Sequence, residues 1–152
     1  MNPNLRNDVV PLLRRRIDKN EYRSIRQLWI AHSIAEDTRD IPGLMATLTE
    51  DCVYTIVNKS VDWYGKAGAT QFYQHLLTAF PDVHFDLQNI VIGPQGVFEE
   101  AYATGTYQSQ WLDMPSPSGQ HVEFFVTILF PWNPDQQLFN GERIFFYLKS
   151  IQ

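Results

Sequence analysis

The chain has 152 residues, 44% of them hydrophobic and 19% charged, which fits one globular domain with a sizeable core and excludes a disordered chain. A formal net charge of −5 argues against nucleic acid as the main partner. The single cysteine, Cys52, excludes an intrachain disulfide; it opens an apolar run with no basic neighbour, the setting of an inert buried thiol. No apolar stretch approaches the length of a membrane span and the N-terminus lacks a secretory apolar core, so the expected location is cytoplasmic, with no membrane partner.

Residues 1–20 are expected to form an appended N-terminal arm, and residues 21–152 the domain proper. Within the arm, Val10, Leu12, Leu13 and Ile17 suit a short helix with Arg14, Arg15 and Arg16 on its wet side. Ile25, Trp29 and His32 recur at helical spacing and predict a helix from Glu21 to Asp37. Asp40 caps a second, short helix with Pro42 in its first turn and Leu44, Met45 and Leu48 inward. Cys52 to Val57 reads as a strand. Asp62-Trp63-Tyr64-Gly65 reads as a turn into a third helix, Lys66 to Phe80, which Pro81 terminates.

From there the pattern is β. Strands are predicted at Val83 to Ile92, Val97 to Trp111, His121 to Phe130 and Leu138 to Leu148, with a bend or bulge at Gly105. Pro115 to Gly119 forms one connection and Pro131 to Asp135 another. Helices first and strands after them is the α+β order. The predicted architecture is a curved antiparallel sheet, a cone-like half barrel, wrapped around three N-terminal helices.

The order and spacing of several short segments resemble the nuclear-transport-factor-2-like superfamily, and within it the SnoaL-like polyketide cyclase and ester cyclase group. They are Ala35-Glu36-Asp37-Thr38-Arg39-Asp40 before Gly43-Leu44, Leu48 to Tyr54, Tyr64-Gly65-Lys66, Ala79 to His84, Gly105-Thr106-Tyr107, Met114 to Gly119, and Gly141 to Phe146. The resemblance implies a cofactor-independent acid/base enzyme that isomerises, dehydrates or cyclises a hydrophobic carbonyl compound. Its cyclases carry an aspartate near the end of the last strand, where this chain has Tyr147 or Lys149. Its isomerases carry a base on the first strand, about where Ile56 stands.

Candidate catalytic residues follow. His32 shares a helix face with Ile25 and Trp29, so it points toward the sheet, as donor, base or hydrogen-bonded core residue. Tyr147 stands where the resemblance places the acid, and a phenol there can donate to an oxyanion. Glu123 opens a strand apolar on both faces, either as a carboxylate with a raised pKa or as a wet-edge residue. Tyr54, Trp63 and Tyr107 are amphipathic aromatics suited to a pocket wall or to the core. His84 falls where the family's dehydratases carry a pocket histidine, although strand alternation with Val83 and Phe85 turns it outward.

The four histidines show no ligand spacing, and no phosphate loop or nucleophile elbow is present, so neither metal nor cofactor is expected. Two functions remain: an enzyme on a hydrophobic small molecule, or a non-catalytic protein of the same fold that binds a ligand or partner. Phe124-Phe125 and Phe145-Phe146 leave apolar side chains on both faces of the sheet, which predicts a homodimer through the outer face.

Overall fold

The computed structural model describes residues 10–151. Residues 10–14 are helical, and Ile17 packs against the core. Helix α1 spans Lys19–Asp37. It starts where Asp18 Oδ1 accepts the backbone N–H groups of Asn20 and Glu21 at 2.7 and 2.9 Å, satisfying donors that the first turn leaves free. Ile25, His32 and Ala35 form its buried stripe.

The helix stops at Thr38, and Arg39 follows in the left-handed region at φ 59°. The Arg39 guanidinium ties that corner down, donating from Nη1 to Glu36 O and Asp37 O and from Nη2 to Val83 O. Helix α2, Ile41–Ala46, is capped by Asp40 as expected, and α3 runs Gly65–Ala79. Phe72, Tyr73, Gly68, Ala69 and Ala79 are its buried residues.

Six strands form one curved, unclosed sheet: β1 Leu48–Ile56, β2 Val61–Tyr64, β3 His84–Gly93, β4 Gly96–Thr106, β5 His121–Asn133 and β6 Leu138–Ile151, in the order β2-β1-β6-β5-β4-β3. The expected sheet and three helices are present, with one pairing, β1 on β6, running parallel. Alternation along β5 buries Val122, Phe124, Val126, Ile128, Phe130 and Trp132 against the helices. Glu142, Ile144 and Phe146 continue that face on β6, and Val97, Glu99, Ala101 and Ala103 continue it on β4.

Four local readings change. Val61–Tyr64 pairs with β1 as a short edge strand instead of turning. The predicted long strand ends at Thr106, not Trp111. Beyond it, Tyr107 exchanges backbone bonds with Gly119 and Gln120, and Gln108 N donates to Ala79 O, so residues 107–120 fold back over α3. Pro131 does not end β5, because a register irregularity between Leu129 and Trp132 absorbs it. Gly105 stays in register with Val122; its missing side chain makes room for Phe80 Cβ, which would stand 3.3 Å from an added Cβ.

A close backbone approach is at Gly141, φ 109°, where an added Cβ would overlap Val53 O on the parallel neighbour strand. That φ and that contact both require glycine. Gly141→Ala is expected to destabilise the fold by at least ~2 kcal/mol, read as a lower urea midpoint; an unchanged midpoint would show that β1 and β6 tolerate separation there.

Candidate active site

The first helix, the third helix and the last strand bring one polar cluster together under an otherwise apolar roof. His32 is 1% exposed and Glu142 is 2% exposed. Thr47 Oγ1 donates to Leu44 O at 2.7 Å and so accepts from His32 Nδ1–H, also at 2.7 Å. That fixes Nδ1 as a donor. Nε2 lies 3.0 Å from Glu142 Oε1, and one proton is held between them.

Tyr73 OH donates to the same Oε1 at 2.9 Å and lies 3.1 Å from His32 Nε2; Tyr54 OH lies 3.2 Å from Tyr73 OH. Burial, then the negative charge of Glu142, push the phenols of Tyr54 and Tyr73 well above the usual range, which keeps both as donors. Among the described residues no hydrogen bond reaches Glu142 Oε2.

Glu142 also lines an apolar cavity of about 540 Å³, mouth included. Its walls include Phe72, Phe80, Trp111, Phe124 and Phe146. The other carboxyl on this cavity is Glu36, one helical turn after His32 on the same face of α1. Its side chain is half-buried and has no hydrogen-bond partner among the described residues. Burial, followed by the charges of Glu142, Glu99 and Asp37, raises its pKa well above the ordinary carboxyl range, against a smaller lowering by Arg39.

A second cavity, more polar, adjoins the first, and Glu36 and Phe85 line both. His32, Trp29, Ser33, Asp37 and Glu99 are among its other walls. Trp29 Nε1 donates to Glu99 Oε2 at 2.8 Å. Burial raises the Glu99 carboxyl to about 7, against the lowering effect of the Trp29 bond, and Glu142 adds to the rise.

The profile of the SnoaL-like domain family matches residues 29–136. The chain belongs to this family. Among solved structures, this SnoaL-like protein is similar to a candidate SnoaL-like polyketide cyclase from Shewanella denitrificans, with TM-score 0.70, 12% identity and coverage of 81% of this chain and 90% of the other. It is similar to AclR, a candidate hydroxylase from Streptomyces galilaeus, with TM-score 0.66, 17% identity and coverage of 82% and 79%. It is also similar to an LEH-like epoxide hydrolase of M. tuberculosis, with TM-score 0.63, 15% identity and coverage of 82% and 83%. No curated protein sequence matches the chain. At these identities the solved structures establish the SnoaL-like cone fold and leave the reaction to the residues.

Of the sequence-derived candidates, His32 lies inside, in the polar cluster. Tyr54 is also buried and joins that cluster through Tyr73, without lining either cavity. The others stand elsewhere. Tyr147 is 65% exposed on the outer face of β6, because it alternates with the inward Phe146. Glu123 is on the outer face of β5, ion-paired with Lys149. His84 is exposed and turned outward, as the alternation with Val83 and Phe85 requires.

Trp63 packs edge-on against Phe72 from the edge strand, and Tyr107 stacks on Phe80 while its hydroxyl accepts from Trp111 N; neither lines either of these two cavities. Sequence reading missed Glu36, takes Glu99 with its strand neighbour Glu100 for a solvated pair although the inner face of β4 buries Glu99, and missed Glu142. The first was legible as His32 plus four on a helix, and the last as the residue in phase with Ile144 and Phe146. Cys52 is buried, and burial pushes its thiol up to about 11, which suits an inert core residue. Among the described residues no helix is long and apolar enough to cross a membrane.

Glu99 carries a testable stability consequence. Its folded value of about 7 lies above the ordinary 4.5, so the folded state holds the proton more tightly. Stability is therefore undiminished below about pH 4.5, erodes as pH rises, and the full cost is present above pH 7. Glu99→Gln keeps an acceptor for Trp29 and removes that cost. It is expected to stabilise the protein by on the order of 2 kcal/mol at pH 8 and hardly at all at acid pH. Equal melting shifts at both pH values would contradict the assignment.

Proposed function

We propose that this SnoaL-like protein is a cofactor-independent enzyme that performs acid/base chemistry on a compact hydrophobic carbonyl compound. The observation that carries the reading is a pair of carboxyl groups on one apolar cavity in opposite surroundings. Glu142 Oε1 is bonded to His32 Nε2 and accepts from Tyr73 OH. Glu36 has neither, and stays protonated. Two like groups whose environments separate their protonation are an acid and a base.

In the proposed reaction, Glu142 takes a proton from the carbon beside the substrate carbonyl at its free Oε2. Glu36 gives its proton to the carbonyl oxygen or to a departing hydroxyl. His32 steadies the charge on Glu142, and Thr47 fixes the imidazole by holding Nδ1–H. The aromatic walls exclude water, which strengthens each of these interactions. Isomerisation, loss of water and ring closure all proceed from this enolisation. A protein that only holds a ligand has no use for an unpaired buried carboxyl, because such a group costs stability.

A screen of enolisable ketones and hydroxy-ketones finds the substrate. Glu142→Gln and Glu36→Gln are each expected to lower kcat by about 10²-fold or more, with the fold intact by circular dichroism. Activity should fall as pH rises through the raised pKa of Glu36, because the acid is then lost. Full activity in Glu36→Gln would remove the proposed acid, and tight binding of hydrophobic ketones without turnover would favour the ligand-binding alternative.

The assembly we infer is a homodimer through the outer face of the sheet. Val91, Phe98, Phe145 and Tyr147 are exposed there, and Tyr102 and Phe125 lie between them in cross-strand register. An apolar field on four adjacent strands is stabilised by a second copy of itself. Sedimentation is expected to give a dimer, and Phe98→Asp combined with Phe145→Asp a monomer; a monomeric parent would refute the interface.

A further inference from the structure

The apolar cavity is walled almost wholly by the cone itself. Glu36 stands on α1, Phe72 and Leu76 on α3, Phe80 and Val83 in the turn after α3, and the remaining walls but one on the sheet. The exception is Trp111. It belongs to residues 107–120, the irregular strap that folds back over α3, and no other residue of that strap lines the cavity.

The indole is 4% exposed and meets three rings. Its centroid lies 5.8 Å from that of Phe72, 6.1 Å from Phe80 and 4.8 Å from His75. Phe72 and Phe80 are themselves cavity walls. His75 is not; it is exposed on α3, and its Nε2–H donates to Gln110 O at 2.9 Å. On this side a single indole therefore separates the cavity from a side chain in contact with solvent.

We propose that Trp111 is the end wall of the substrate site and sets the length of apolar chain that the site accepts. The inference rests on reading the apolar cavity as the substrate site. The ligand class it selects is a ketone whose apolar part is short enough to end at the indole.

The way the strap is held makes this wall separable from the fold. Much of its bonding closes on itself: Tyr107 with Gly119 and Gln120, Trp111 N to Tyr107 OH, and Gln110 Nε2 to Leu112 O and Met114 O. It reaches the body through Gln108 N to Ala79 O, the His75 bond, the exposed Lys59–Asp113 ion pair and the buried Met114 side chain. No strand pairing fixes the indole, so replacing it changes the space and leaves the sheet register alone. The surface uncovered on Phe72 and Phe80 is apolar. An apolar void of about 150 Å³ is enough to take a benzene ring, and each further methylene buried there tightens binding about fourfold.

The test is equilibrium binding of a homologous series of straight-chain methyl ketones, measured by calorimetry. With the parent protein, affinity is expected to rise with each added methylene and to stop rising at the length that reaches Trp111. In Trp111→Ala the rise should continue for at least two further methylenes, so that the longest ketone binds at least tenfold more tightly than to the parent. Trp111→Phe, which keeps an aromatic ring against Phe72 and Phe80, should place the break between the two. Asp113→Asn loosens the strap, keeps the indole, and should leave the break where the parent has it.

The same break in Trp111→Ala and parent overturns the proposal, as does an Asp113→Asn break shifted as far as that of Trp111→Ala, or a series that binds neither protein. A shifted break in a protein that turns over no ketone keeps the end wall and sinks the enzyme reading. An unshifted break in a protein whose turnover is lost in Glu36→Gln does the reverse.

Discussion

A carboxylate buried beneath a sheet-and-helix roof has to be answered by its surroundings, and Glu142 is the point on which the rest of this site depends. Desolvation of an unpaired charge costs several kcal/mol. His32, 110 positions earlier in the chain, supplies the counter-group, and Tyr73 supplies a second donor. Each of those is held in turn, by Thr47 and by Tyr54. The cluster therefore fixes the angle of α1 and of α3 against β6 more specifically than apolar contact alone. Breaking any member leaves a buried polar group without its partner.

The same constraint explains why neighbouring carboxyls behave so differently. Among the described residues one basic side chain, His32, is bonded to a carboxyl of the cluster, and that carboxyl is Glu142. Glu36 and Glu99 share the remaining field, meet negative charge instead, and hold their protons. Arg39 tempers this for Glu36 while its hydrogen bonds go to backbone oxygens of Glu36, Asp37 and Val83. Chemistry and architecture thus share residues: the group that anchors the helix corner also limits how far the acid is shifted.

Much of the fold was legible in the sequence, because periodicity and punctuation are local. The three helices, the cap at Asp40 and the strand alternation follow from such signals, as does the inward turn of His32. The parallel pairing of β1 with β6 was not legible, since strand order depends on contacts between distant segments. The candidate-site residues divide the same way. Tyr147 was proposed from a family position, yet alternation with Phe146 places it outside. Glu142, in phase with that same phenylalanine, occupies the inner face. Reading each strand by face would have exchanged one for the other. What no local pattern reveals is that Glu142 meets a histidine from the first helix, or that the Glu36 side chain has no hydrogen-bond partner among the described residues.

The position of β6 in the sheet has a kinetic side. It is the last of the described elements in chain order, yet it lies between β1 and β5. During synthesis the β1–β2 ribbon and the β3–β4–β5 meander are each complete before anything joins them. His32 waits on its helix without its counter-charge until the final strand enters. Closure is consequently a single long-range event, of the kind that folds slowly and leaves strand edges open in the interval. The nascent chain is at its most vulnerable to aggregation just before that strand arrives.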